Sequence, residues 1–600
     1  MTMRKAFDFA AKLFRDTSGN VLPIAAVGML VAVAIVGSAI DISRSYLVRS
    51  QMQAACDAGA LAGRRTVTTE GFDKASKDAA LAYFATNVRS ANLKLGTVVP
   101  DFSSPDNGQT VVGTATTVLD TLVMRVFGRN TFDIRVTCSS SMGVGNSDVM
   151  MVLDTTGSMN TTLTGSQTRI QALRAAMKNF YGTIAAATAS SNARVRYGFV
   201  PYSSSVNVGR LIMDRDRRYI VDKQTYQSRV WEASYGTPSS FTSWSRSNAA
   251  DNYNTLAECN ANKPPNSSDF EDADSGTQRK YEYSCQETRV CSFLIFNCRT
   301  VYIVNERYQS RSVTQGWSYQ PQEYDTSVYK TFARATTPTG TNGANVSSVW
   351  AGCIEERQTV AQSAFSYSSI LGISPAGALD LDLDGAPDVN RDATKWKPMW
   401  PEVAFLRWDS RSNYTTAKTS NGGAANSYCP VRAQLLAPMS QSAFNAYADS
   451  LQAEGSTYLD IGMIWGGRLL SPQGLWSSVV NEEPRNGGEV SRHLIFMTDG
   501  EMEPNYLIQQ AWGIEYYDRR VTSDGYSNDA ARHTSRFRAV CEAIKDKGIR
   551  VWVIAFTTSI NSDLKACASD SSSYVANNST ELNAAFQEIA KQVGELRVVE

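Results

Sequence analysis

The sequence predicts an α/β fold: a doubly wound, mostly parallel sheet, interrupted by a large cysteine-containing insertion and preceded by one transmembrane helix and a small strand-rich unit. Three observations predict it. One run, 21–40, is apolar and carries no charge over 20 residues. Short apolar strands alternate with amphipathic helices on both sides of the middle of the chain, the pattern of a parallel sheet covered on both faces. Between them lies a polar, aromatic-rich stretch without that periodicity.

Composition sets the bounds. Hydrophobic residues make up 42% and charged residues 19% of the 600, enough apolar material for real cores. Lys plus Arg equals Asp plus Glu at 58 each, so no charge excess points to nucleic acid. The two histidines, His493 and His533, are far apart, which argues against histidine-rich zinc chemistry.

Taken in order, residues 1–20 are a basic N-terminus with Arg4, Lys5, Lys12 and Arg15. The run 21–40 matches a hydrocarbon core of about 30 Å at about 1.5 Å per helical residue. It lacks amphipathic periodicity and is longer than a signal peptide's apolar region, so a retained anchor is expected. The positive-inside rule keeps 1–20 in the cytoplasm and exports the rest, although Arg44 and Arg49 follow the span closely. Residues 41–65 continue as a helix rich in Ala, Gln and Leu. Residues 66–142 then turn β-branched and partly alternating, a strand-rich unit. The whole exported N-terminal unit is set at 41–146.

Gly19-Asn20, the apolar span, Asp41 and the run Gln51-Met52-Gln53-Ala54-Ala55-Cys56-Asp57-Ala58-Gly59-Ala60-Leu61-Ala62 resemble the TadE/TadG-like segment of tight-adherence (Flp) pilus assembly proteins. This chain departs from the family's run at Cys56 and Gly59. Prepilin cleavage would require Glu five residues after a Gly, and Ile24 stands there, so processing as a pilin is not expected. The resemblance implies pilus assembly components as partners and a bacterial inner-membrane location with the C-terminal region periplasmic, or reaching the envelope surface.

From Asp148 the α/β pattern begins. Strands are expected at 149–153, 194–201, 493–497 and 550–557, and helices at 169–180, 440–455, 536–547 and 580–596. The fold then divides into a first half, 147–205, an insertion, 206–429, and a second half, 430–600. Asp154-Thr155-Thr156-Gly157-Ser158-Met159 follows a buried strand and precedes a helix. In an open α/β sheet, ligands bind at the carboxyl ends of the strands. A carboxylate and two hydroxyls spaced by two residues suit a hard divalent cation.

Here the chain resembles the von Willebrand factor A (VWA) family, whose metal site reads D-x-S-x-S with a distant Thr and a distant Asp. Thr156 stands for the first Ser, Gly455-Ser456-Thr457 matches the distant Thr, and Thr498-Asp499-Gly500 the distant Asp. The resemblance implies a Rossmann-like fold and a site of Asp154, Thr156, Ser158, Thr457 and Asp499 holding Mg²⁺ or Mn²⁺, which share hard oxygen ligands. It implies a protein partner that supplies an acidic residue to the metal. Taken singly, each piece also fits an ordinary N-cap or turn.

A second acidic run, Asp380-Leu381-Asp382-Leu383-Asp384-Gly385-Ala386-Pro387-Asp388, matches the start of a calcium loop, but position twelve is Arg391. Ca²⁺ bound by Asp380, Asp382, Asp384 and Asp388 and a solvated acidic turn both remain open. Ten cysteines follow the span without a CxxC pair, which reads as disulfides in an oxidising compartment. Cys541 with Cys567 is the pair expected within one βα unit. Insertion aromatics such as Trp231, Tyr235, Trp244, Trp317, Tyr319 and Trp350 fit either a recognition surface or a small stapled core.

The expected function is a membrane-anchored, metal-dependent assembly or adhesion factor of an Flp-type pilus system. The alternative is a released or surface-displayed adhesin that binds host or matrix protein. No Ser-His or Cys-His constellation is recognisable, so enzymatic activity is not expected.

Overall fold

The computed structural model describes residues 21–67, 71–88, 96–105, 110–141, 146–163, 166–189, 193–291, 298–485, 489–527, 529–593 and 597–599. Arg4, Lys5, Lys12, Arg15, Gly19 and Asn20 lie outside the described residues.

Helix α1 (Val21–Arg65) runs unbroken for 45 residues, joining the apolar span to the polar helix after it. Its first part is long and apolar enough to cross a membrane, and Ile24, Met29, Leu30 and Ile35 are all exposed. That exposure separates it from a core helix, which would bury such residues. The second part packs on α2 (Lys74–Asn87) and on the antiparallel strands β1 (Val99–Ser103), β2 (Thr110–Asp120) and β3 (Thr131–Ser141). A last strand, Arg597–Val599, returns from the far end of the chain to pair with β3. The strand-rich reading of this unit therefore missed one helix, α2, whose alanines carry a weak periodic signal.

Both departures from the family run have a structural reason. Cys56 is bonded to Cys138 on β3. A Cβ on Gly59 would lie 2.6 Å from the ring of Phe102, so only glycine lets that ring lie against the helix.

The body follows with β4 (Asn146–Asp154), α3 (Arg169–Thr188) and β5 (Val195–Tyr202). The intervening region includes a long antiparallel ribbon, β6 (Lys223–Tyr235), β7 (Thr277–Cys291) and β8 (Cys298–Asp325). The body resumes with β9 (Gln434–Ala437), α4 (Gln441–Ser450), α5 (Leu459–Leu470), β10 (Val490–Thr498), α6 (Asp529–Asp546), β11 (Arg550–Phe556), β12 (Ser573–Ala576) and α7 (Ser579–Val593). Its six strands lie in the order β9-β5-β4-β10-β11-β12, parallel except where β9 meets β5.

One expectation needs correction. Among the described residues, parallel pairing between strands is confined to this sheet; the other six sheets are antiparallel. The chain as a whole is a mixed helix and sheet protein, because the N-terminal unit and the insertion are built from locally paired strands. Helix α5 was also not foreseen. All twelve of its residues are buried, so its sequence has no polar face to mark a helical period.

Two cores flank the central sheet. One packs α3, α4 and α7 through Leu173, Phe180, Phe444 and Phe586. The other packs α5 and α6 together with Tyr226, Tyr329, Trp350, Trp396 and Trp400 from the insertion. The insertion therefore lacks a fully separate core and completes one face of the sheet. Five disulfides pair all ten cysteines: Cys56–Cys138, Cys259–Cys285, Cys291–Cys298, Cys353–Cys429 and the expected Cys541–Cys567.

Candidate functional site

β4 is buried along its length and ends on Asp154, which is wholly buried. β5 and β10 end level with it, Asp154 beside Tyr202 and Leu153 beside Met497. In order of appearance the six body strands run 3-2-1-4-5-6, so the chain departs from β4 and β10 in opposite directions. The crevice between two such strands is where doubly wound sheets bind ligands.

The side chains there form a continuous polar chain. Asp154 Oδ1 accepts from the Thr156 backbone N–H at 2.9 Å and from its hydroxyl at 2.6 Å. Asp154 Oδ2 accepts from Thr498 Oγ1 at 2.8 Å. Ser158 Oγ donates to Asp499 Oδ1 at 2.7 Å. The Thr156 and Ser158 hydroxyl oxygens are 2.9 Å apart. Each hydroxyl has one proton. With those protons on Asp154 and Asp499, the two oxygens face each other through lone pairs alone. Burial, and then the neighbouring Asp499, pushes the Asp154 carboxyl up to about 7. Two carboxylates and two hydroxyl oxygens in this partly open crevice are donors of the kind a hard divalent cation takes.

Thr457 is placed differently. Its backbone bridges Glu503 in both directions, and among the described residues no hydrogen bond joins its hydroxyl to the other four. Its loop is fastened to the same turn, however: Gly157 N–H donates to the Gly455 carbonyl at 2.9 Å, and Glu454 N–H to that of Thr155 at 2.8 Å. A Cβ on Gly455 would lie 2.8 Å from Ser204 Oγ, and its φ of +86° favours glycine.

Arg169, the first residue of α3, was not singled out from sequence. Its guanidinium donates to Asp499 Oδ2 at 2.9 Å and is the only ion-pair partner of that carboxylate among the described residues. Nothing in the local motif marks it, because it lies eleven residues beyond Ser158 on a separate helix.

The four aspartates of the acidic loop do not converge. Buried Asp380 Oδ2 accepts from Trp512 Nε1 at 2.8 Å and pairs with Arg536. Asp382 Oδ1 accepts from the Asp384 and Gly385 backbone N–H groups. Asp384 pairs with Lys547, and Asp388 Oδ1 accepts from the Asn390 backbone N–H. Among the described residues no group of three or more His, Cys, Asp or Glu side chains is placed to hold a metal ion. The Asp154 cluster is consistent with that, since half of its donors are hydroxyls.

His533 is likewise spent on structure. It lies between Asp460, 2.7 Å from Nδ1, and Asp529, 3.2 Å from Nε2. Of the aromatics singled out, Tyr319 and Trp350 are buried, Trp231, Trp244 and Trp317 are half-buried, and Tyr235 is exposed. Arg229 stacks on Trp317 and Arg311 on Tyr235.

Residues 19–76 match the model of the Tad family, described as Flp pilus-assembly TadE/G-like. Two solved structures of the pilus adhesin SpaC from Lactobacillus rhamnosus GG, one in an open conformation, are similar at 10% and 11% identity. Both have a TM-score of 0.27, with 83% of this chain and 33% or 34% of theirs covered. The chain thus spans about a third of the length of the structures it matches. No curated protein matches it.

Proposed function

We propose that this chain is a membrane-anchored, metal-dependent protein-binding factor of an Flp-type pilus assembly system, with a VWA-type body. The N-terminal match to the Tad model supports the pilus context, and the exposed apolar part of α1 supports the anchor. The observation that carries the metal reading is the meeting of Asp154, Thr156, Ser158 and Asp499 between β4 and β10, the strands from which the chain departs in opposite directions.

These four residues would hold Mg²⁺ or Mn²⁺, which supplies an open coordination position for a partner's carboxylate. Asp154 and Asp499 supply charge. Thr156 and Ser158 supply neutral oxygens, which limits how far the ligands cancel the cation's attraction for an anion. Thr498 and the Thr156 backbone orient Asp154, and the Gly157–Gly455 contact holds the two loops together.

The test uses the full-length chain in nanodiscs, titrated with MgCl₂ or MnCl₂ by calorimetry, beside Asp154→Ala. Binding by the wild type and none by the variant is expected, with loss of pili on cells that carry the variant. Normal piliation by Asp154→Ala would remove the metal site from the mechanism. A second reading, a released or surface-displayed adhesin, draws on the half-exposed β6–β8 ribbon. Cell fractionation separates the two: chain in the medium favours the second.

A further inference from the structure

The turn between β2 and β3, residues 121–130, lies against the end of the apolar span. Asp41, the first residue after the run 21–40, is buried and accepts three backbone N–H groups from this turn: Leu122 at 2.8 Å, Val123 at 2.9 Å and Met124 at 2.9 Å. One helical turn earlier, inside the apolar run, Gly37 leaves room for Val123: a Cβ there would lie 2.2 Å from Val123 Cγ1. At about 1.5 Å per residue, Val123 reaches about 6 Å below the level of Asp41.

The outer side of this turn is apolar and uncovered. Val126 is 78%, Phe127 52% and Leu122 52% exposed. Arg125 and Arg129 flank them and are exposed as well. Apolar tips beside arginines, level with the end of a membrane span, have the composition of an interfacial anchor. Backbone donors near a bilayer need partners other than water, and the Asp41 carboxylate supplies them for three in succession.

We propose that the β2–β3 turn is a second membrane contact, with Leu122, Val126 and Phe127 in the acyl boundary and Arg125 and Arg129 at lipid phosphates. The inference rests on the membrane-anchor reading of α1. The occupant is lipid because the patch is continuous with the exposed flank of the span. The contact fixes how the exported body stands on the membrane: α1 meets the turn through Asp41 and the same sheet through the Cys56–Cys138 bond.

All ten native cysteines are paired, so one added thiol is a unique labelling site. The full-length chain is reconstituted in phosphatidylcholine–phosphatidylglycerol vesicles that carry a nitroxide lipid, labelled either near the headgroup or deep in the acyl chain. A fluorophore is placed at Phe127→Cys, at Leu30→Cys in the span, or at Ile370→Cys, an insertion residue 90% exposed. The expected result is quenching at 127 by the shallow label, quenching at 30 by the deep label, and none at 370 by either. Quenching at 30 without quenching at 127 overturns the turn contact and leaves the anchor intact. No quenching at 30 overturns the anchor and the inference together. Protection of 127 from aqueous iodide without quenching by lipid assigns the patch to a protein neighbour and overturns the lipid assignment.

Discussion

Two acidic segments of this molecule look alike as sequence and behave oppositely as structure. Asp154-Thr155-Thr156-Gly157-Ser158 and Asp380-Leu381-Asp382-Leu383-Asp384 both place oxygen side chains at every second residue. The first ends a buried strand where a second carboxylate, Asp499, arrives from β10, and among the described residues Arg169 is the one cation paired with it. The second lies over α5 and α6, where Arg536 and Lys547 pair with the Asp380 and Asp384 carboxylates and Arg468 donates to the Asp380 and Asp382 backbone carbonyls. The first segment leaves two hydroxyl oxygens facing each other beside two carboxylates, and the second uses its charge to fasten the insertion to the body. Spacing in a motif sets which groups are close; the cations brought by distant elements decide whether those groups stay available.

The strongest way to break this contrast is to free the fastened loop. Arg536→Met leaves Asp380 buried without its cation, and about 3–5 kcal/mol of stability should be lost. Denaturant unfolding with tryptophan fluorescence measures it; a change below about 1 kcal/mol would show that the pair fastens nothing. At the other segment, Mg²⁺ at about a hundred times its Kd should stabilise the wild type by about 2.7 kcal/mol and leave Asp154→Asn unmoved. Thermal melts with and without EDTA read the difference.

A pH series tests the same fastening region through His533. Burial alone would lower its pKa, but Asp460 and Asp529 outweigh burial and push it up to about 10. A histidine raised in the folded state contributes stability that is fully present below about pH 6.5 and lost as pH rises toward 10. Melting temperature should therefore fall across that window, and the slope should flatten in His533→Gln; equal slopes would exclude this role. The smallest effect belongs to Arg169. Arg169→Gln removes a cation from Asp499, and calorimetry should show Mg²⁺ binding about threefold tighter or more. Unchanged or weaker binding would mean that Arg169 supports the site instead of competing for it.

Much of the body was legible because its chemistry is local. The strands ending at Asp154 and Thr498 and the helix beginning at Arg169 follow from runs of a few residues; the Cys541–Cys567 pair was singled out only because both lie in one βα unit, and the other four pairings were not legible. Helix α5 was not legible, because it is buried on every side. Arg169 and the cations under the acidic loop were not, because each comes from an element remote in sequence. Thr457 was legible as a motif residue, yet the structure ties only its loop to the site, through Gly455.

By itself, the sequence determined a helix long and apolar enough to cross a membrane, the alternation of strands and helices, and the residues able to offer hard oxygen ligands. Those are properties of hydrophobic runs and side-chain chemistry, and neighbouring residues suffice to define them. The tertiary structure decided which oxygens meet, that the insertion completes one face of the central sheet, and that the acidic loop is matched to arginine and lysine. It also set the β2–β3 turn against Gly37 and Asp41. Those outcomes depend on contacts between residues tens to hundreds of positions apart, where burial and charge compensation are settled by packing.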